Sequence, residues 1–187
     1  MTGPRIIAGQ WKGRKLAAPE GRDTRPTNIR ARQAVFDILA HAPWCDLQDA
    51  KVLDVFAGTG AYGLEALSRG AALATFIEVS PNALMVLKMN IATCKAGTAK
   101  IIAADALHPP AGQPHDLVFL DPPYGQALLA PTLAALAAKG WIAPGAIIVA
   151  ELGPGETLDI QDTLAERNHG QAHLKIWRSA PAASGRG

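Results

Sequence analysis

The chain has 187 residues, 49% of them hydrophobic and 18% charged, with a formal net charge of +2. This composition excludes a disordered or fibrous chain, and the length suits one α/β domain with a full core rather than two independent domains. No apolar run approaches a membrane span, no apolar signal core follows Met1, and Cys45 and Cys94 belong to no CxxC or Cys/His cluster, so we expect a cytoplasmic protein with no membrane span, disulfide framework or zinc site.

The charge is unevenly spread. In the first 33 residues Arg5, Lys12, Arg14, Lys15, Arg22, Arg25, Arg30 and Arg32 face only Glu20 and Asp23, a surplus of six that leaves the remainder at −4. A basic arm on a mildly acidic body suits a phosphate backbone, because each cation that neutralises a phosphate releases counterions; a solvated tail is the simpler alternative. Within the arm, Arg5–Ala8 and Lys12–Leu16 read as two short strands of a hairpin, with Gly13 marking a bulge. Trp11 between them suits either stacking on RNA or packing against the body. After a polar turn over 21–26, Thr27 is placed to cap a helix running to about Ala40, with Val35, Phe36 and Leu39 on one face. Arg30 and Arg32 fall in its first turns, where cations oppose the helix dipole, which points to an external anion.

From Lys51 onward strands alternate with helices, the pattern of a mainly parallel sheet covered on both faces. Strands are expected near 51–56, 73–79, 99–103, 116–121 and 145–151, and helices near 61–69, 81–94 and 126–139. Ser80 followed by Pro81 reads as an N-cap and first helical residue. Leu164 to Arg178 reads as a closing hairpin turning at His169-Gly170, and Ala182 to Gly187 as an unstructured end.

Two motifs carry chemistry. The first runs from Val52 to Gly63, a strand passing into a glycine turn that opens a helix; Gly58, Gly60 and Gly63 match GxGxxG, and Glu78 at the end of the next strand is placed to accept ribose hydroxyls. A dinucleotide oxidoreductase fits those features. Asp54 tilts the reading, since a carboxylate just before the glycines opposes a pyrophosphate but suits the ammonium of an amino-acid-bearing nucleoside such as S-adenosylmethionine. Asp105, after the apolar run 101–104, is placed to accept from an adenine amino group, or serves only as a strand-end cap.

The second motif is Asp121-Pro122-Pro123-Tyr124, which follows the apolar run 117–120. Consecutive prolines stiffen the backbone and hold the residue before them extended, so the Asp121 carboxylate and the Pro122 carbonyl form two fixed acceptors beside the flat face of Tyr124. That arrangement suits a planar ring with an exocyclic amino group. Asp54 with its glycines, Glu78, Asp105 and Asp121 all fall at the carboxyl ends of successive strands, where open α/β sheets bind ligands. The five histidines show no metal-ligand spacing, and neither Ser68 nor Ser80 has a base placed by any motif.

From about Arg5 to Arg178 the chain resembles the bacterial 16S rRNA (guanine-N2) methyltransferases of the RsmD type, within the class I S-adenosylmethionine-dependent enzymes. The resemblance rests on residues 5–14, Arg25-Pro26-Thr27, the stretch Asp54 to Gly70 and Asp121 to Tyr124; the arm is its diagnostic part. Ile29 and Gln33 depart from the family, which tends to have acids at those places. The resemblance implies a Rossmann-like, mainly parallel seven-stranded sheet with a C-terminal antiparallel hairpin. It divides the chain into a basic RNA-contacting extension (1–45), a catalytic domain (46–180) and a disordered tail (181–187). It implies S-adenosylmethionine held by Asp54, Phe56, Gly58, Thr59, Gly60, Glu78 and Asp105, with no metal, and catalysis by Asp121, Pro122 and Tyr124. It implies RNA contacts from Lys12, Arg14, Arg25, Thr27, Arg30 and Arg32, and methylation of guanine-966 of 16S rRNA by a monomer acting on a small-subunit assembly intermediate. Whether Asp121 also takes the proton stays open. A DNA adenine-N6 methyltransferase and a non-catalytic ribosome-assembly factor are the alternatives.

Overall fold

The computed structural model describes residues 3–19, 26–123, 125–160, 162–169 and 172–181, with backbone alone at 26–29, 169 and 172. Helix α1 (Pro26–His41) precedes the alternating part of the chain: β1 (Lys51–Val55), α2 (Ala61–Ser68), β2 (Leu73–Glu78), α3 (Pro81–Cys94), β3 (Ala99–Ala103), β4 (His115–Leu120), α4 (Leu129–Ala138) and β5 (Ile142–Leu152). A hairpin of β6 (Thr163–His169) and β7 (Ala172–Arg178) follows.

The seven strands form one sheet in the order β3-β2-β1-β4-β5-β7-β6. Strands β1 to β5 run parallel, while β7 pairs antiparallel with both β5 and β6. The chain moves outward from β1 through β2 to β3, then returns to the other side of β1 as β4. That reversal opens a crevice between the carboxyl ends of β1 and β4, the usual ligand position in an open α/β sheet.

Strand residues alternate between two apolar layers. Val52, Phe76, Leu117, Phe119, Val149 and Ile176 pack with Phe36 of α1, Leu64 of α2 and Leu87 of α3 on one face. Leu53, Val55, Ile77, Val118, Leu120 and Ile148 pack with Leu129 and Leu136 of α4 on the other. Both faces are covered, which is why the strands read as near-continuous apolar runs.

Several boundaries differ from the sequence reading for identifiable reasons. Strand β4 ends at Leu120, so Asp121 lies just past the sheet, where Pro122 and Pro123 have no N–H to continue a ladder. Helix α4 starts at Leu129 rather than near 126, because Gly125 (φ 79°) and Ala127 (φ 48°) are left-handed. Helix α1 begins at Pro26, so Thr27 lies inside it and is not its cap. The N-terminal hairpin forms in a short, irregular version: Arg5 and Lys15 make an antiparallel bridge, Ile6 N–H donates to the Arg14 carbonyl and Leu16 N–H to the Pro4 carbonyl, and a 3-10 turn, Gly9–Trp11, lies between the two segments. Ile7 and Ala8 donate their N–H groups to the Glu65 side chain, which joins this hairpin to α2. Gly13 has φ 80° and donates to the Ile6 carbonyl, so the irregularity falls where expected. Trp11 packs against the core, Trp44 likewise, and Trp141 and Trp177 are buried. The Ser80 hydroxyl caps α3 by accepting from Ala83 N–H. The hairpin turn at Gly170 and the tail from 182 lie outside the described residues.

Candidate active site

The glycine turn leaves β1 and enters α2 through three left-handed residues, Phe56 (φ 60°), Gly58 (φ 54°) and Gly60 (φ 75°). Two glycines are required by close approach. A Cβ at Gly60 would lie 2.4 Å from the Leu87 side chain, and one at Gly63 would lie 2.4 Å from the Phe76 ring. Gly58 differs, since a Cβ there would meet nothing nearer than the Phe56 carbonyl at 3.8 Å. Asp54, only 3% exposed, accepts the Gly63 N–H at 2.9 Å, which ties the end of β1 to the first turn of α2. Burial pushes its carboxyl up to about 8; the Gly63 hydrogen bond opposes this, Asp121 and Glu78 add to it, and Arg32 offsets part.

Glu78 closes the crevice on the β2 side. One carboxylate oxygen accepts Gly58 N–H at 2.8 Å, and the other accepts Val79 and Ser80 N–H, both at 2.8 Å. The Gly58 oxygen keeps a lone pair for a hydroxyl donor. Val79 beside it is 60% exposed, an apolar surface at the end of β2 that carried no motif. Asp105 is engaged locally: its oxygens take Leu107 N–H and His108 Nδ1, both at 3.0 Å. The Leu107 hydrogen bond, with His108 second, holds its carboxyl below the ordinary range, so the cap role is met whatever else Asp105 binds.

Across the crevice, Asp121 follows β4 half-buried, Pro122 is buried and Pro123 exposed; Tyr124 lies outside the described residues. Register places Asp54 opposite Phe119 and Phe119 opposite Val149, and two residues further along β5 comes Glu151, 4% exposed. Tyr62 of α2 stacks on Phe119 with ring centroids 4.9 Å apart. Burial pushes its phenol well above the ordinary range, and the Asp121 and Glu151 carboxylates push it further, so it remains a hydrogen-bond donor. Arg32 is the buried cation facing this group: burial lowers its pKa, while Glu65, Tyr62 and Asp54 favour its charge. Tyr62 and Glu151 were missed in the sequence because only tertiary packing brings them near Asp121, and Glu65 because its partners are backbone groups of the distant arm.

The family model described as conserved hypothetical protein 95 matches residues 4–178. Ribosomal RNA small subunit methyltransferase D of Escherichia coli (strain K12) is 46% identical over 149 residues, 79% of this chain and 73% of that one. The solved structure of Escherichia coli yhhF superposes with a TM-score of 0.82 at 40% identity, covering 94% of this chain and 97% of that one. A methylase from Haemophilus influenzae gives 0.76 at 31%, covering 95% and 98%. The chain belongs to the RsmD-type methyltransferase family.

In this family member the basic arm is clasped to the body by three polar side chains. Glu65, fully buried, accepts Ile7 N–H at 2.6 Å, Ala8 N–H at 3.0 Å and Arg69 Nε at 2.8 Å. The Ser68 hydroxyl donates to the Ala8 carbonyl and accepts Trp11 N–H. Asn90 holds Ala17 at the far end. Lys12, Lys15 and Arg30 are exposed; Arg14 is exposed but donates to the Thr93 carbonyl. Arg25 and the Thr27 side chain lie outside the described residues. Arg32 corrects the expectation of an external anion. At 3% exposure it donates to the Arg5 carbonyl and faces Glu65, so its charge serves the interior.

Proposed function

We propose that this chain transfers a methyl group from S-adenosylmethionine to the exocyclic N2 of one guanine in small-subunit ribosomal RNA. Family resemblance makes that guanine-966 of 16S rRNA, in an assembly intermediate. The observation that carries the reading is the pair Asp54 and Asp121 flanking the switch point, one behind the glycine turn and the other at the head of a proline-stiffened acceptor motif. The Escherichia coli and Haemophilus influenzae relatives carry the name ribosomal RNA small subunit methyltransferase D, which supports the substrate class.

The donor set fits the cofactor. Asp54, Glu78, Asp121 and Glu151 crowd the crevice with carboxyl groups, and the guanidinium of Arg32 faces Asp54 and Tyr62. Such a crevice favours a cation and opposes a pyrophosphate, which argues against the dinucleotide alternative. Asp54 would take the ammonium, Glu78 a ribose hydroxyl, and the open space over Gly58 would admit the ligand's backbone approach. S-adenosylmethionine, when bound, supplies a methyl group made electrophilic by its sulfonium.

The chain's own residues then act on the amino nitrogen. Guanine N2 is a poor nucleophile because its lone pair is delocalised into the ring. Asp121 and the Pro122 carbonyl, each accepting one N–H, favour the tetrahedral nitrogen that develops only as the new bond forms. Tyr62 lies near Asp121 and Glu151, whose carboxylates and its own burial keep the phenol protonated. Positioning alone can supply up to about 7–11 kcal/mol. Drawing the base from its stack onto Tyr124 costs roughly a few kcal/mol, offset by backbone contacts from Lys12, Lys15 and Arg30 on the 1–45 extension.

The test is transfer of labelled methyl to undermodified small subunits, small-subunit rRNA, DNA and release factor in parallel, followed by nucleoside analysis. N2-methylguanosine from ribosomal samples, lost in Asp121→Ala, is expected. Label in N6-methyladenine or protein would overturn the substrate, and RNA binding without any label would favour an assembly factor.

A further inference from the structure

Asn90, on α3 and 1% exposed, makes three hydrogen bonds to two segments far apart in the chain. Its Oδ1 accepts Ala17 N–H at 2.7 Å, while Nδ2 donates to the Ala17 carbonyl at 3.1 Å and to the Thr59 carbonyl at 2.9 Å. Both amide protons are thereby used, one on each segment. Ala17 belongs to the basic arm, and Thr59 lies between the left-handed residues Gly58 and Gly60 at the centre of the glycine turn. Glu65 and Ser68 anchor the arm from Ile7 to Trp11, and beyond them Arg14 donates to the Thr93 carbonyl, Leu16 is buried in the core and Asn90 holds Ala17; of these anchors Asn90 is the one that also reaches the glycine turn.

The bridge has a geometric consequence. The side-chain amide is rigid and planar, and a shift of Ala17 that turns it must carry the Nδ2 direction away from Thr59. A buried amide that loses one partner has no water to replace it. The docked arm and the cofactor-ready turn are therefore two ends of one element, and ligands that favour either end favour both. We infer that Asn90 is a positioning residue that couples RNA engagement by the arm to the geometry of the glycine turn, so that RNA and cofactor tighten each other's binding. This rests on the methyl-transfer reading above.

Such coupling is reciprocal by linkage and spans fivefold upward in typical cases. The experiment is calorimetric titration of the whole chain with S-adenosylhomocysteine, with and without a small-subunit rRNA transcript. The wild type is expected to bind S-adenosylhomocysteine about fivefold or more tightly with RNA present. Asn90→Asp keeps the acceptor for Ala17 N–H and loses both donated bonds, so the ratio is expected to fall to about one with both ligands still bound. A wild-type ratio of one, or a ratio kept in Asn90→Asp, would overturn the inference. In the wild type, S-adenosylhomocysteine should also slow hydrogen exchange at the Ala17 amide, and unchanged exchange would count against the bridge even if Asn90→Asp failed to fold. If the wild type bound neither ligand, the methyl-transfer reading itself would fail, which is a different result from independent binding.

Discussion

Asp54 and Gly63 face each other across the glycine turn, the buried carboxyl accepting the Gly63 N–H at 2.9 Å. Burial holds that carboxyl at about 8 against an ordinary value of 3.8, so the folded chain keeps a proton that the unfolded chain has released. The stability this proton contributes is complete below the unfolded value, declines as pH rises through that window and is lost above about 8. Asp54→Asn keeps an acceptor for Gly63 and cannot ionise. Thermal unfolding of that variant should therefore lose less stability between mildly acid and alkaline pH than the wild type. A cationic ligand has the opposite preference and favours the ionised acid. Wild-type binding of S-adenosylhomocysteine should release a proton near neutral pH, read as a dependence of calorimetric heat on buffer ionisation, and Asn at this position should abolish that dependence.

The glycines of the turn should separate by cause. Gly58→Ala meets no atom closer than 3.8 Å, so its cost is the left-handed backbone alone, about 1–2 kcal/mol. Gly60→Ala has the same backbone cost and also drives a methyl to 2.4 Å from Leu87, adding roughly 1–3 kcal/mol of overpacking. Denaturant unfolding should rank Gly60→Ala below Gly58→Ala. S-adenosylhomocysteine affinity should fall in both, and in Gly58→Ala more than its stability loss explains, because that methyl projects into the open space over the turn.

What could be read in the sequence, and what could not, divides along a physical line. Asp54, Glu78 and Asp121 stood out because each ends or follows an apolar run, and a strand's end is set by local pattern. The sheet followed from the alternation of strands and helices. Glu65 and Asn90 carried no such signal. They lie within helices, and their partners are backbone groups 57, 58 and 73 positions away, which any residue type supplies. The same hydrogen bonds fix where the hairpin sits, since Ile6 N–H pairs across it with the Arg14 carbonyl while Ile7 and Ala8 donate to Glu65 on the body. Arg32 was read from the dipole of its helix, whereas its burial among Glu65, Tyr62 and Asp54 decides its role.

Glu65 should be the strongest stability determinant of the arm. Truncation to Ala leaves two backbone N–H groups and the Arg69 guanidinium without their shared acceptor, and Arg69 also lies 4.8 Å over the Phe36 ring. A loss on the order of 3 kcal/mol is expected. Glu65→Gln keeps one acceptor oxygen and should lose less. Limited proteolysis should cut the arm of Glu65→Ala faster than its global unfolding allows, and equal rates would mean that the arm is held elsewhere.

Arg30 and Arg32 sit two residues apart on α1 and should behave as different kinds of residue. Arg30 is exposed, whereas Arg32 is 3% exposed and bonded to the Arg5 carbonyl. Arg30→Gln, like Lys12→Gln and Lys15→Gln, should leave the melting temperature nearly unchanged and weaken RNA binding. The slope of log affinity against log salt should fall by about 0.7–0.9 for each phosphate that is no longer neutralised. Arg32→Gln should do the reverse. It removes the charged donor to the Arg5 carbonyl and the buried cation facing Glu65 and Asp54, so stability should drop by roughly 1.5–3 kcal/mol, while the salt slope of the fraction that remains folded is unchanged. A reduced slope in Arg32→Gln at full stability would mean that this guanidinium reaches the phosphate backbone after all.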